Sequence, residues 1–356
     1  MPVALGDTPR RLAAADLDGD GDTDLFVVER IDNDHAELQV LLNDGGQFNP
    51  GWSAVDPAHN AESSVVWDAD LADTDADGDV DVVYVVPFGT PCQRFNDGQG
   101  QFGPLVGVPT YSFKFENELE DLDGDGSADL VYYEPDIFFD LWFGTMKNAG
   151  SGTFLWVSSA FVMLTADIES HRRIALGDVT GDGLRDAAFT SLVSGLRLFR
   201  GVPPAPGETI PGWYVPQLIS TKPCADAVMV DLDGNGHLDL VASVPPLDSV
   251  FVWLAGASGE LIRPQRFPAG ESPDALAAAD LDLDGAPDIV VTNPTTGAVH
   301  VLAGAGGGSL QAPVRVHVGA GPTDIVAADL DGDGDSDLAV TCASAGHVAL
   351  LFNATP

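Results

Sequence analysis

The chain has 356 residues with 55 Asp and Glu against 15 Lys and Arg, a formal charge of −40, and a field of that sign repels phosphate backbones and anionic membrane surfaces. Nucleic acid is therefore not an expected partner, and membrane insertion is not expected either, because no apolar run reaches the roughly 18 residues of a spanning helix. A 45% hydrophobic content excludes a disordered chain, while 40 Gly and 25 Pro point to many turns between short strands.

In chain order, the N-terminal MPVALGDTPRR lacks the basic start and apolar core of a signal peptide. The expectation is a mature or recombinant form. The next stretch, DLDGDGDTDL, crowds five Asp residues together and turns at once to LFVV. Carboxylates about 5 Å apart repel by roughly 3 kcal/mol per pair at an effective dielectric near 20. Something cationic is expected among them.

The same pattern returns along the whole chain as DTDADGDVDV, DLDGDGSADL, DVTGDGLRDA, DLDGNGHLDL, DLDLDGAPDI and DLDGDGDSDL, at intervals of about fifty residues. Each unit reads alike. An apolar stretch ends in the acidic loop (DALAAADL), a β-rich run follows (DIVVTN), and then come a third strand (AVHVLAG), a Gly-rich turn (AGGGSLQ) and a fourth strand (APVRVHVG). Four short strands per unit without helical period predict an all-β, seven-bladed β-propeller of four-stranded blades, a single domain over residues 1–356. The last unit stops after its third strand, HVALLFNATP, and the segment Val3 to Gly6 aligns with a fourth strand. The N-terminal strand is therefore expected to complete the last blade and close the ring.

A D-x-D-x-D-G-x-x-D loop suits Ca2+, which takes six to eight oxygens: carboxylates stand at positions 1, 3, 5 and 9, a carbonyl at 7, and Gly at 6 allows the sharp turn. In this reading loop 16–24 uses Asp16, Asp18, Asp20 and Asp24 with the carbonyl of Asp22, and loop 73–81 uses Asp73, Asp75, Asp77 and Asp81 with Asp79. Loop 121–129 supplies Asp121, Asp123, Asp125 and Asp129 with Ser127; loop 178–186 supplies Asp178, Thr180, Asp182 and Asp186 with Leu184. Loop 231–239 offers Asp231, Asp233, Asn235 and Asp239 with His237. Loop 280–288 offers Asp280, Asp282, Asp284 and Asp288 with Ala286, and loop 329–337 offers Asp329, Asp331, Asp333 and Asp337 with Asp335. Up to seven Ca2+ are expected, one per blade. Thr180 and Asn235 each replace a carboxylate, so the fourth and fifth loops are expected to bind most weakly. In the second loop only the frame starting at Asp73, not Asp70, keeps Gly78 and Asp81 in place. An EF-hand would need Glu at position 12 between helices, where this chain has strand residues.

On these residues the chain resembles the FG-GAP/VCBS repeat propellers, which include the head of integrin α subunits and fungal propeller lectins. The turns LLNDGGQF, FNDGQGQF and MKNAGSGTF belong to the same likeness. It implies calcium loops between the first and second strands on one face, and partner binding on the other.

Segments assigned to that other face, among them GDTPRR, DPAHNAESS and TADIESHRR, hold Arg10, Arg11, Arg30, Lys114, Arg172, Arg173 and Lys222. Such an excess of cations suits an anionic ligand such as a uronate or sialylated glycan. Pairing with acids such as Glu29, Asp167 and Glu169 is the competing reading. His35, His59 and His171 lie in the same segments. Trp52, Trp156 and Trp213 fall at outer strands as candidate sugar platforms, whereas Trp67, Trp142 and Trp253 read as packing between blades. The candidate ligand set is Arg10, Arg11, Arg30, Trp52, His59, His171, Arg172 and Arg173. Cys92, Cys224 and Cys342 fit neither a disulfide framework nor a metal motif.

The expected function is a calcium-stabilised, secreted or cell-surface binding module, lectin-like and without chemistry. The alternatives are a protein-binding adhesion or assembly module and a polysaccharide lyase, which needs His, Tyr and Arg to converge.

Overall fold

The computed structural model describes residues 1–6, 8–31, 35–56, 68–85, 91–108, 116–135, 141–162 and 171–354. Strand β1 (Pro2–Ala4) stands apart in sequence from its sheet, and the remaining strands follow blade by blade. Blade 1 is β2 (Thr8–Ala15), β3 (Asp24–Arg30), β4 (Ala36–Asp44) and β5 (Gln47–Asp56). Blade 2 is β6 (Asp68–Ala72), β7 (Asp81–Val85), β8 (Cys92–Arg94) and β9 (Val106–Gly107), and blade 3 is β10 (Glu116–Glu120), β11 (Asp129–Pro135), β12 (Leu141–Asn148) and β13 (Phe154–Val162).

Blade 4 is β14 (His171–Gly177), β15 (Asp186–Ser191) and β16 (Gly195–Phe199), then a small hairpin of β17 (Gly201–Val202) and β18 (Gly212–Trp213), then β19 (Gln217–Ser220). Blade 5 holds β20 (Ala227–Val230), β21 (Asp239–Val244), β22 (Ser249–Trp253) and β23 (Gln265–Pro268). Blade 6 holds β24 (Leu276–Ala279), β25 (Asp288–Asn293), β26 (Ala298–Leu302) and β27 (Val314–His317). Blade 7 is β28 (Pro322–Ala328), β29 (Asp337–Cys342) and β30 (His347–Leu351), completed by β1.

All neighbouring strands within a blade are antiparallel, and the first strands of successive blades contact one another around the ring, β28 meeting β2. Closure follows the expected scheme. Pro2, Val3 and Ala4 pair with Ala349, Val348 and His347, so the closing strand lies slightly N-terminal of the segment anticipated from the repeat.

Second strands are buried on both faces, as in DLFVV and DIVVTN, because a blade is packed between two others. Outer strands such as β23 and β27 are mostly exposed. Each seam carries its own apolar cluster: Phe26, Leu38 and Tyr84 between blades 1 and 2, Tyr133, Phe143 and Phe189 between blades 3 and 4, and Leu12, Leu25 and Leu350 where blade 7 meets blade 1. At about 25 cal/mol per Å2 of buried apolar area, these seams hold the ring together. Their alignment brings all seven first-to-second-strand loops to one face.

Candidate metal centres and the opposite channel mouth

Each acidic loop is built by its own carboxylates. In six of the loops the first Asp accepts backbone N–H bonds from positions 4 and 6, for example Asp16 from Gly19 at 2.8 Å and Gly21 at 3.1 Å, Asp73 from Ala76 at 2.8 Å and Gly78 at 3.0 Å, and Asp329 from Gly332 at 2.8 Å and Gly334 at 3.0 Å, whereas Asp280 accepts from positions 5 and 6. This hydrogen bonding also fixes the frame of the second loop at Asp73, while Asp70 lies on β6 and accepts from Leu119 of blade 3 at 2.6 Å. The fifth side chain accepts from position 7, as Asp20 does from Asp22, Asp77 from Asp79, Asp182 from Leu184 and Asp284 from Ala286.

Position 9 has a second task. Asp24 accepts Leu17 N–H at 2.8 Å and Asn43 N–H at 2.7 Å, one on each oxygen, and is fully buried. Asp81, Asp129, Asp186, Asp239, Asp288 and Asp337 likewise receive one N–H from the loop and one from the residue just after the third strand's core. Burial pushes Asp24 and Asp129 up to about 6 against those hydrogen bonds, and it raises the other five as well.

The geometry converges on a cation position. Carboxylate oxygens of Asp16, Asp18 and Asp24 lie within 4.8 Å of one another, as do those of Asp73, Asp75 and Asp81, of Asp121, Asp123 and Asp129, and of Asp231, Asp233 and Asp239. In blade 6 the converging set is Asp280, Asp282 and Asp284. Buried Oδ1 atoms of Asp75 and Asp331 have no hydrogen-bond partner. Hard anionic oxygens without donors suit calcium by the chemistry of the donor set. The fourth and fifth loops offer less: Thr180 Oγ1 is turned toward Asp178 at 3.3 Å, and Asn235 Nδ2 donates to Ala255 O at 3.0 Å.

Three features of the loops escaped the sequence reading. Position 4 as well as position 6 is left-handed, with Ala76 at φ 63° and Leu283 at φ 57° where the other loops have Gly. An Asn at or just beyond the end of the third strand ties blade to blade: Asn96 Nδ2 donates to Leu17 O at 2.7 Å, Asn148 to Thr74 O at 2.7 Å, and Asn43 to Leu330 O at 2.9 Å. Finally, Lys147 Nζ bonds Asp123 Oδ2 and, at 2.7 Å, Asp125 Oδ2 inside the third loop.

An acid in or just before one first strand holds an N–H group of the next blade's first strand: Asp324 accepts from Leu12 at 3.0 Å, Asp68 from Asn117 at 3.2 Å and Asp226 from Leu276 at 2.8 Å. Arg11 pairs with Asp68 at 3.5 Å, and Arg173 of blade 4 reaches Asp324 of blade 7 across the ring axis. Asp226 is raised by burial and lowered in turn by Arg173.

The candidate ligand residues lie in the following places. Arg10 and Arg11 lie within β2, Arg30 ends β3, and Arg172 and Arg173 lie within β14, not in loops. Trp52 is partly buried, its ring packed on Phe102 at 5.2 Å with the Arg94 guanidinium 5.5 Å away. Trp213 packs on Phe143 and donates to Thr145 Oγ1 at 2.9 Å. His59, Trp67 and Lys114 lie outside the described residues, as do the side chains of His171, Arg172, Trp142 and Trp156.

The sequence profile of the FG-GAP-like repeat matches residues 5–84, 231–291 and 280–340, together more than half of the chain. The chain belongs to the FG-GAP-like repeat family. No curated protein matches it. This FG-GAP-like propeller superposes on a structure described as BBS1N in complex with ARL6DN, with a TM-score of 0.62 at 11% identity over 99% of this chain and 94% of that one. It also superposes on the WD40 domain of Toxoplasma gondii coronin (TM-score 0.57, 10% identity, 98% and 84% covered) and on the periplasmic gluconolactonase PpgL of Pseudomonas aeruginosa (0.55, 16%, 93% and 86%). At these identities the likeness is one of fold. The matched FG-GAP-like repeats include the acidic loops of blades 1, 2, 5, 6 and 7, and the propeller is a binding and scaffold module. No helix among the described residues is long and apolar enough to cross a membrane.

Proposed function

We propose that this FG-GAP-like propeller is a calcium-stabilised binding module that recognises a protein partner on the channel-mouth face and performs no chemistry of its own. The observation that carries the calcium part is the repeated convergence of first, third and ninth carboxylates within 4.8 Å. Bound calcium would supply the positive charge that the loops lack. Asp16, Asp18 and Asp24 and their counterparts would hold it. Sites of ordinary affinity fill only at the calcium levels outside cells, which supports a secreted or surface location.

Protein recognition is favoured over a lectin by what the side chains already do. Trp52 and Trp213 are used in packing, and Arg11 and Arg173 are paired with acids. A sugar site would need these groups turned outward. The BBS1N structure is that of a protein complex, which agrees with this use of the fold.

The test is a glycan and polysaccharide array in millimolar calcium and in EDTA, run beside cross-linking mass spectrometry with extracellular proteins. The reading predicts a blank array and cross-links concentrated near β2, β6 and β28. Calcium-dependent binding to a defined sugar set would replace it with the lectin reading.

A further inference from the structure

The third loop carries a complete set of acids, Asp121, Asp123, Asp125 and Asp129, and from its sequence ought to be among the strongest calcium sites. Its geometry says otherwise. In Asp123 and Asp125 one oxygen accepts a loop N–H, from Asp125 at 3.2 Å and from Ser127 at 3.0 Å. The other oxygen of each, the one left for a cation, is bonded to the ammonium of Lys147.

Lys147 stands on β12 immediately before Asn148, whose N–H is held by Asp129. The corresponding residues of the other blades are Leu42, Phe95, Arg200, Leu254, Ala303 and Phe352. Arg200 is the other cation in this series, and it points elsewhere, donating to Gly259 O of blade 5 at 3.1 Å. A third bond fixes the ammonium: Lys147 Nζ donates to Thr209 Oγ1 at 3.2 Å, a residue of the segment that joins β17 to β18 in blade 4. The same seam is bound by Arg185 with Glu120 and by Trp213 with Thr145.

We propose that Lys147 closes the third loop as a built-in cation, that this loop takes no calcium, and that the seam between blades 3 and 4 is held without the ion. The inference rests on the calcium reading of the other loops. An ammonium tethered at the site outcompetes a dissolved ion unless it is expelled, and once expelled it remains beside a divalent cation on the same short strand. Three hydrogen bonds to carboxylates and a hydroxyl also satisfy all three donors of an ammonium.

Native mass spectrometry in calcium chloride tests the assignment by counting ions on the full chain. Lys147→Met, which keeps the apolar stem, should hold one ion more than the wild type, and Asp125→Asn, with Lys147 in place, should leave the count unchanged. Equal counts in wild type and Lys147→Met while other loops are loaded, or loss of one ion in Asp125→Asn, would overturn it. If neither protein retains any ion, the calcium reading itself fails. The lysine's role is then read from melts in EDTA, where Lys147→Met should unfold at a temperature several degrees lower, and an equal or higher midpoint would overturn the proposal.

Discussion

Asp288 and Asp282 sit six residues apart in one loop and do different work. Asp288 accepts Leu281 N–H at 3.0 Å and Gly304 N–H at 2.7 Å and is buried, so its removal strands two backbone donors. Asp282 makes a single long bond from Asp284 N–H, at 3.3 Å. Asp288→Ala should therefore lower the unfolding free energy by about 2–4 kcal/mol even in chelator, whereas Asp282→Ala should cost under about 1 kcal/mol there and matter mainly in calcium. Urea denaturation of both variants in EDTA and in calcium checks this. The same carboxylates set a pH response. Asp24 and Asp129 are pushed up to about 6 by burial, above the unfolded value near 4, so in chelator the fold prefers them protonated. Their contribution is then greatest below about pH 4 and is lost as pH rises through about 6. In the loops proposed to bind it, calcium needs Asp24 and its counterparts ionised, so its stabilising effect should be small at pH 5 and large at pH 8. Thermal melts across that range with and without EDTA should diverge upward with pH, and parallel curves would contradict the coupling.

At the scale of strands and loops, the repeat made most of the fold legible. Apolar second strands following each acidic loop, and the Gly-containing turns after third strands such as NDGG and NAGSG, locate the blades because those signals are local. What was not legible depends on closure. The bond from Arg173 to Asp324 joins residues of opposite blades, and Trp52 meets Phe102 only because blade 1 lies against blade 2. Spacing along the chain carries no trace of either contact. Lys147 was in plain view before Asn148, but its reach into a loop more than twenty residues upstream is set by the pairing of β12 with β11. The closing strand is the element with the largest effect on topology. Deleting residues 1–6 removes the pairing of β1 with β30 and exposes an edge, which should cost about 2–3 kcal/mol for three ladder positions and promote association through β30. Melting and light scattering of the truncated protein would show both effects, and an unchanged monomer with an unchanged melt would contradict the role assigned to β1.

Over the whole molecule, the loops gather much of the chain's acidic excess onto one face of a ring held by apolar seams. The opposite mouth spends its acids differently, on N–H groups of neighbouring first strands and on Arg11 and Arg173. In the proposed function the loop face would accept calcium and the other face would recognise the partner. A site with a dissociation constant of tens of micromolar in millimolar calcium contributes about 2–3 kcal/mol through linkage, and several such sites together make the fold depend on the ion. The most direct measurement is the melting temperature in millimolar calcium and in excess EDTA at neutral pH. The account predicts a fall of more than about ten degrees on chelation, recovered when calcium is restored. An unchanged melt would contradict it.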